Sequence, residues 1–183
     1  MNNAHKEKAA QLLLTPTDLA DLSKADARSV VNFMQFRHVE TGAIFIKEGE
    51  VTHTDFMVLI LDGDVSVESE AASADGGIVM SLIGPGSLIG EMGLLDGAPR
   101  SATCTAMTDL EVAVLSREAV LELIKDNPAV AARLMLAISK RLADRLRDAN
   151  HNIKLLGTVN ILLQQELDGL HTPVEQTSVI APL

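Results

Sequence analysis

The 183-residue chain is predicted to have an α+β fold in which helices flank one closed or sandwich-like β domain. Ten of the 12 glycines lie between Gly42 and Gly97, and glycine supplies the positive φ that tight turns require. The same region alternates short apolar runs with turn signals, among them Asp62-Gly63. Both ends of the chain instead carry apolar residues at helical spacing. These observations place the strands in residues 38–115 and helices on either side.

The individual elements follow from these local signals. Residues 43–47, 56–61, 65–70, 78–83, 101–106 and 110–115 are the predicted strands, with further turns at Asp75-Gly76-Gly77 and Gly84-Pro85-Gly86. Apolar residues between Leu19 and Met34 predict an N-terminal helix with Pro16 near its start. Ser116 is the predicted N-cap of a helix that ends before Pro128. Pro128 suits the first turn of the next helix.

That last helix carries a heptad pattern. Apolar residues alternate by four and three from Leu142 onward, and Asn160 is the one polar exception, at an a position. The full series is Leu142, Leu146, Ala149, Ile153, Leu156, Asn160, Leu163, Leu167 and Leu170. Such a series favours a two-stranded parallel coiled coil. The alternative is a shorter amphipathic helix folded back on the domain and broken at Gly157. Residues 171–183 are expected to be a flexible or partner-docked tail.

Composition narrows the classes of function. The formal net charge of −10 repels nucleic acid unless a local basic patch exists. Cys104 is the only cysteine, which excludes an intramolecular disulfide and a thiolate metal cluster, and His38 and His53 lack metal-site spacing. No apolar run reaches the roughly 18 residues that span a bilayer. The N-terminus also lacks a signal peptide's apolar stretch, so we expect a cytoplasmic protein with no membrane partner.

One cation stands out in the β region. Between Glu48 and Ser116 the sequence has twelve acidic residues and one basic residue, Arg100. Arg100 follows Gly90 and residues 91–95, which can form one helical turn whose free amides bind an anion. Glu91 is close enough in sequence to accept a bond from a sugar hydroxyl. The segment therefore predicts either a phosphate-sugar site or a structural Glu91–Arg100 ion pair.

The stretch GSLIGEMGLLDGAPRSATCTA, residues 86–106, resembles the phosphate-binding cassette of the cyclic nucleotide-binding domain. This family includes bacterial catabolite activator proteins, regulatory subunits of cyclic-AMP-dependent kinase and cyclic-nucleotide-gated channels. The resemblance covers residues 18–150. It implies a double-stranded β-helix, a jelly-roll-like β-barrel, flanked by N-terminal helices and a long C-terminal helix. The implied segments are N-terminal helices 1–37, β-roll 38–127, dimerisation helix 128–170 and tail 171–183.

The resemblance also implies a ligand site. Arg100 would bind the exocyclic phosphate of a cyclic mononucleotide, and Ser101 would donate a hydroxyl to the same phosphate. The amides of Gly90 and Ala102 would complete the cradle. Glu91 would accept a hydrogen bond from the ribose 2′-OH. Replacing Arg100 by alanine is then expected to abolish binding and leave the fold intact.

Recognition of the base is implied by fewer residues. Val67 and Ile83 match positions where aliphatic side chains pack on the base, and ordinary core packing is the alternative for both. Met92 belongs to the same helical turn as Glu91. Arg145 stands near the place where bacterial activators cap the base with small hydroxyl residues, and it is either a base contact or a solvated charge. We expect cyclic AMP, with cyclic GMP or cyclic di-GMP as alternatives, and no cofactor.

The function expected from this resemblance is a non-enzymatic receptor. Only 33 residues follow Asn150, too few for a helix-turn-helix module, so direct DNA binding is not expected. The receptor would form a homodimer through its C-terminal helix and signal to an unidentified effector protein by moving that helix. The alternatives are a transcriptional regulator of the catabolite activator type, a ligand-free structural dimer and a cupin-like metalloenzyme.

Overall fold

The computed structural model describes residues 3–14, 22–69 and 78–170, with the backbone alone for 78–80 and 168–170. The helices are α1 (Asn3–Leu13), α2 (Lys24–Val31), α3 (Glu91–Asp96), α4 (Arg117–Asp126) and α5 (Pro128–Leu170). The strands are β1 (Gln35–Val39), β2 (Ile44–Ile46), β3 (Phe56–Asp62), β4 (Val65–Ser69), β5 (Ile78–Ile83), β6 (Leu88–Ile89), β7 (Thr103–Ala106) and β8 (Leu110–Ser116). The predicted helix start at Pro16, the turn at Asp75-Gly76-Gly77 and the tail 171–183 lie outside the described residues.

The strands form two four-stranded antiparallel sheets, ordered β1-β8-β3-β6 and β2-β7-β4-β5. Apolar side chains from both sheets form a hydrophobic cluster, called the sheet core, which consists of Ile46, Val58, Ile60, Val65, Ile89, Cys104, Ala106, Leu110 and Val112. The predicted antiparallel β domain with flanking helices is therefore confirmed. The strands pair as two sheets, so the sandwich-like alternative describes them and a closed barrel does not.

Strand β3 is buried on both faces. The run from Met57 to Leu61 has no exposed residue, because one face meets the sheet core and α1, in which Ala9 and Leu13 are fully buried, packs against the strand. A continuous apolar run is what a strand covered on both sides requires. Lys8 of α1 forms an ion pair at 3.4 Å with Asp62 at the end of the strand. The N-terminal helix is thus part of the β domain's packing.

Two strands were not predicted. Strand β1 (Gln35–Val39) is an edge strand in which three polar residues are exposed and Phe36 and Val39 are only half-buried, so its sequence QFRHV contains no buried apolar run. Strand β6 (Leu88–Ile89) has only two residues, which is too short for a periodic signal. Both strands exist because β8 and β3 offer them hydrogen-bonding edges. The local sequence of β1 or β6 does not reveal that a partner strand will lie beside it.

The predicted helix boundaries after the β domain are confirmed. The side chain of Ser116 accepts a hydrogen bond from the amide of Ala119 at 3.1 Å and caps α4. Pro128 is the first residue of α5. Gly157 does not interrupt α5, so the alternative of a helix broken there is not what the structure contains, and the helix extends over 43 residues.

The chain divides into two units, residues 1–141 and residues 142–183. The first unit contains both sheets, α1 to α4 and the first part of α5. In the second unit, α5 carries the predicted heptad positions on one helix. None of the helices in the described ranges is both long and apolar enough to cross a bilayer.

Candidate functional site

The predicted anion-binding turn is a short helix bounded by two glycines. Gly90 precedes α3 with a φ of 79°, and Gly97 follows it with a φ of 70°. Both values lie in the left-handed region, where a side chain is strained. The helix extends one residue beyond the predicted turn, to Asp96. Glycine is therefore required at each end for the chain to enter and leave this helix.

The side chain of Arg100 lies against the start of α3, and the residue is 5% exposed. Its Nη1 donates to the carbonyl oxygens of Gly90 at 3.0 Å and Phe56 at 3.1 Å. Its Nη2 donates to the carbonyl oxygens of His53 and Phe56, both at 3.1 Å. The guanidinium carbon also lies 4.3 Å from the centroid of the Phe56 ring. The guanidinium thus joins the start of α3 to the loop before β3.

The charge of Arg100 has no carboxylate partner in the described part of the chain, where backbone carbonyls alone accept its hydrogen bonds. The alternative of a structural Glu91–Arg100 ion pair is therefore not what the structure contains. Burial lowers the pKa of the guanidinium, and more distant carboxylates such as Glu50 and Asp55 oppose that shift. An arginine nevertheless remains a cation. A buried cation held only by neutral dipoles is suited to receive an anion.

Close packing surrounds this guanidinium. A Cβ added to Gly93 would lie 2.5 Å from the carbonyl oxygen of Thr54 and 2.9 Å from Nη1 of Arg100. A Cβ added to Gly90 would lie 2.8 Å from the same Nη1. These distances are too short for real atoms, so α3 can approach Arg100 only because both positions are glycine. The glycines therefore fix the position of the cassette helix relative to the arginine.

The other predicted cassette residues lie around α3. Glu91 is its first residue and is 2% exposed. Met92 and Ser101 are exposed, and the Ser101 hydroxyl lies 3.9 Å from the Met92 sulfur. Ala102 is half-buried in the segment leading to β7. The structure thus brings five predicted residues together with Arg100, since Gly90 also belongs to this segment.

The residues predicted to contact a base are less closely grouped. Val67 and Ile83 lie on the neighbouring strands β4 and β5 and are half-buried against the sheet core. Their placement agrees with ordinary core packing, which was the alternative for both. Arg145 lies in the second unit, on α5, and its side chain is exposed. Its predicted contact with a base stays a prediction.

Three residues of the site were missed in the sequence. His53 has a φ of 52°, a left-handed value that is uncommon for a residue with a side chain, and its carbonyl accepts from Arg100. Phe56 supplies a carbonyl and a ring to the same arginine. Arg117, at the start of α4, donates from Nη2 to the Gly93 carbonyl at 3.1 Å. His53 and Phe56 accept through backbone carbonyls, which every residue has, so the sequence does not mark them as site residues. Arg117 lies outside the glycine-rich motif on which the prediction was based.

The atom Nε of Arg117 is buried and has no hydrogen-bond partner among the described residues. Arg117 therefore ties α3 to α4 with one terminal nitrogen only. In the ranges that the structure describes, no three His, Cys, Asp or Glu residues form a group able to hold a metal ion.

Comparison with known proteins gives a consistent result. The family model described as "Cyclic nucleotide-binding domain" matches residues 36–127. The Cyclic AMP receptor protein of Thermus thermophilus is 46% identical over 77 residues, which are 42% of this chain and 34% of that relative. The chain thus aligns with about a third of this curated relative's length.

Two solved structures extend the comparison to the fold. A cyclic nucleotide-binding domain from Methylobacillus flagellatus KT has a TM-score of 0.71 at 28% identity and covers 82% of this chain and 83% of its own. The catabolite activator protein of Thermus thermophilus has a TM-score of 0.65 at 30% identity and covers 80% of this chain and 63% of its own. The expected jelly-roll arrangement with flanking helices is the fold that these structures share with this chain.

Proposed function

Because the chain belongs to the cyclic nucleotide-binding domain family, we propose that it is a regulatory receptor for a cyclic mononucleotide, with 3′,5′-cyclic AMP as its ligand. One observation carries this proposal. Arg100 is a buried cation that lies beside the start of α3 and has carbonyl oxygens, but no described carboxylate, as partners. Burying an uncompensated charge is costly, and a bound phosphate would supply the missing counter-charge. The receptor is not an enzyme.

The phosphate would bind by rearranging the hydrogen bonds of Arg100. All terminal N–H groups of its guanidinium point to carbonyls in the structure, and the Phe56 carbonyl accepts two of these bonds. The phosphate replaces the Phe56 carbonyl as acceptor for one of these two N–H groups. The Phe56 oxygen still accepts a hydrogen bond from the other N–H group, so it is not left unpaired. Charge-assisted bonds to a phosphate are stronger than bonds to a neutral carbonyl. The exchange therefore favours the ligand-bound arrangement.

The remaining cassette residues orient the nucleotide. The amides of Gly90 and Ala102 and the hydroxyl of Ser101 donate to the phosphate, and Glu91 accepts from the ribose 2′-OH. Met92 lies beside Ser101 at this edge of the cassette. These assignments follow the family resemblance and the grouping of the residues around α3.

The base contacts complete the proposed site. Val67 and Ile83 present aliphatic surface to the base, as half-buried residues of β4 and β5. Arg145 contacts the base in the ligand-bound state. Cyclic AMP is favoured over cyclic GMP because the relative with 46% identity is named for cyclic AMP.

The output of the receptor is a movement of α5. The heptad positions from Leu146 to Leu167 are exposed in the single chain, which suits pairing with a second copy in a parallel coiled coil. Asn160 at an a position specifies two strands in register. Ligand binding shifts the population between two arrangements of α5 in this homodimer, and an effector protein, not DNA, binds one of them. Equal affinity of the effector with and without nucleotide would contradict this output.

Calorimetric titration of the full chain with cyclic AMP, cyclic GMP and cyclic di-GMP tests the receptor. Saturable binding of cyclic AMP with the highest affinity is expected. The absence of binding to all three would favour a ligand-free structural dimer. The variant Ser101→Ala is the sharpest test of the site, because Ser101 is exposed and, among the described residues, its hydroxyl donates only to the Met92 sulfur. Loss of one charge-assisted bond predicts affinity about tenfold lower.

A matched control is available on another face of the domain. Ser29 lies on α2 and its hydroxyl donates to the carbonyl of Ala25, so Ser29→Ala removes a hydroxyl of the same kind away from the cassette. The control is expected to bind cyclic AMP like the original protein. Equal affinities of Ser101→Ala and Ser29→Ala would remove Ser101 from the site.

A further inference from the structure

A half-buried carboxylate lies at the end of the strand that carries Val67. Atom Oε1 of Glu48 accepts a hydrogen bond from the hydroxyl of Ser69 at 3.1 Å. The amide of Glu48 donates to the hydroxyl of Thr103, also at 3.1 Å. Since β7 pairs with both β2 and β4, Glu48 reaches from the segment after β2 past the start of β7 to the end of β4. The contacts of the proposed site do not use this carboxylate.

Glu48 and Ser69 meet on the face of β4 that Val67 occupies. Side chains alternate along a strand, so Val67 and Ser69 point to the same side of the sheet. Val67 is paired with Cys104 of the sheet core and packs against that core. In the other direction along this face, Val65 is fully buried in the core. The polar end of the face, toward which a polar edge of a base on Val67 would turn, is therefore the end at Ser69.

The carboxylate also lies close to the cassette. The amide of Gly49 donates to the carbonyl of Arg100 at 2.8 Å, and the amide of Arg100 donates to the carbonyl of Glu50 at 3.0 Å. Residues 48–50 therefore run alongside residues 100–103. An ionised carboxylate accepts hydrogen bonds but donates none, and it repels a phosphate of the same charge. The part of a bound nucleotide that suits Glu48 is thus an uncharged N–H group of the base.

We propose that Glu48, held by Ser69, accepts a hydrogen bond from the 6-amino group of adenine and thereby selects cyclic AMP over 6-oxo purine nucleotides. The inference rests on the proposed function and assigns its base selectivity to a residue of the β domain. Carboxylates accept hydrogen bonds from exocyclic amines of bases, whereas guanine has a carbonyl oxygen at the same position. That oxygen and the carboxylate would face each other without a donor, and a polar group left unpaired is a strong source of discrimination.

The test compares two ligands by calorimetric titration of the full chain. Cyclic AMP is set against the cyclic monophosphate of purine riboside, which has hydrogen in place of the 6-amino group. The original protein is expected to bind cyclic AMP about tenfold more tightly, since one hydrogen bond to a charged group distinguishes the two ligands. Glu48→Ala should bind both ligands equally, because its affinity for cyclic AMP falls by about tenfold and its affinity for the analogue stays unchanged.

The same strand supplies a matched control. Glu68 is also half-buried and its carboxylate also accepts a hydrogen bond from a serine, Ser66. Both residues lie on the face of β4 opposite to Val67. Glu68→Ala therefore removes a carboxylate in the same kind of pair on the other side of the sheet. This variant should keep the preference of the original protein for cyclic AMP.

A second variant tests the 6-oxo part of the proposal. The amide of Glu48→Gln can donate to a carbonyl, so the ratio of the affinities for cyclic GMP and cyclic AMP should shift toward cyclic GMP by about tenfold. An unchanged ratio would overturn the selectivity assigned to Glu48. Because glutamine has nearly the same shape as glutamate, this variant also keeps the packing around Ser69.

The outcomes separate the two proposals. Equal affinity of the original protein for cyclic AMP and the purine analogue would overturn the contact with the amino group and leave the receptor in place. A tenfold preference that survived in Glu48→Ala, or an equal loss of affinity for both ligands, would do the same. If the original protein bound neither ligand, the proposed function itself would be wrong and this inference would fall with it.

Discussion

Arg133 of α5 donates two hydrogen bonds to the carboxylate of Asp26 in α2, from Nε at 3.0 Å and from Nη2 at 2.6 Å. Asp26 is nearly buried, and it also accepts bonds from the amide and hydroxyl of Ser23 at the start of its own helix. This ion pair joins residues 107 positions apart. It therefore fixes the first part of α5 against the N-terminal helices.

The ion pair predicts a loss of stability in acid. The hydrogen bonds from Arg133 are the main cause that lowers the pKa of Asp26 to about 2, below its ordinary value of 3.8. Because the folded-state pKa is the lower one, the pair contributes its full stability above about pH 4, and that contribution is lost as the pH falls toward 2. Arg133→Met should lower the free energy of unfolding at pH 7, because the carboxylate of Asp26 then loses both hydrogen bonds from Arg133.

Urea denaturation at pH 7 and pH 2.5 measures this effect. The difference between Arg133→Met and the original protein should shrink at the lower pH. The exposed pair of Arg147 and Asp144 provides the control, because such pairs contribute little. If Arg147→Met were as destabilised as Arg133→Met, the loss could not be attributed to the ion pair between Arg133 and Asp26.

The contacts of Arg100 change the expectation for its removal. Arg100→Ala leaves the carbonyls of His53, Phe56 and Gly90 without this donor inside the domain, so the expected intact fold is replaced by a prediction of lower stability. The loss should be about 3 kcal/mol in the ligand-free protein, measured by urea denaturation at fixed protein concentration.

Arg37→Ala on the exposed edge strand β1 is the matched control and should cost less than about 0.5 kcal/mol. If Arg100→Ala were as stable as this control, the hydrogen bonds from Arg100 to the carbonyls would not contribute to the free energy of unfolding. Loss of nucleotide binding in Arg100→Ala therefore has to be interpreted beside its stability, which is why Ser101→Ala is the sharper test of the site.

Two glycines of the chain should respond in opposite ways to the same substitution. Gly93→Ala places a Cβ 2.5 Å from the Thr54 carbonyl, so α3 must move and stability should fall by about 1–3 kcal/mol. Gly157→Ala meets nothing within 4 Å and lies inside α5, so it should raise helix stability by roughly 0.5–1 kcal/mol. Thermal unfolding followed by circular dichroism measures both changes, and cyclic AMP affinity should fall only for Gly93→Ala. Equal effects of the two substitutions would count against close packing at α3.

Cys104 should be unreactive in the folded protein. Its side chain belongs to the sheet core at 4% exposure, and burial raises the pKa of its thiol to about 11. The thiolate is the reactive form, so a disulfide reagent at pH 8 should label the native protein slowly and the urea-unfolded protein rapidly. Since the chain has one cysteine, the labelled fraction reports unfolding directly. Rapid labelling of native protein would show that this part of the core opens.

Prediction succeeded where a residue acts on its immediate neighbours. The left-handed φ of Gly90 and Gly97, the cap at Ser116 and the helix start at Pro128 are local backbone events, and the residue types that they require are visible in the sequence. The heptad series is likewise a property of one helix. The alternative of a break at Gly157 does not occur, since one glycine costs a helix only about 1 kcal/mol relative to alanine.

Prediction failed where the partner is distant in sequence. Arg100 was correctly singled out as the one cation of the β region, but its acceptors are backbone carbonyls of residues 53, 56 and 90, and every residue carries a carbonyl. Strand β1 forms because β8 offers it an edge. Neither the Arg100–carbonyl contacts nor the pairing of β1 with β8 can be deduced from the residue types alone.

The amino-acid order alone established the turns, the helix caps, the cassette motif and the heptad positions, because each depends on conformational preferences within a few residues. Only the folded chain decided that Arg100 is buried without a described carboxylate partner, that α1 covers β3, and that Asp26 holds Arg133. These relationships join segments tens of residues apart, and they arise from tertiary packing between those segments.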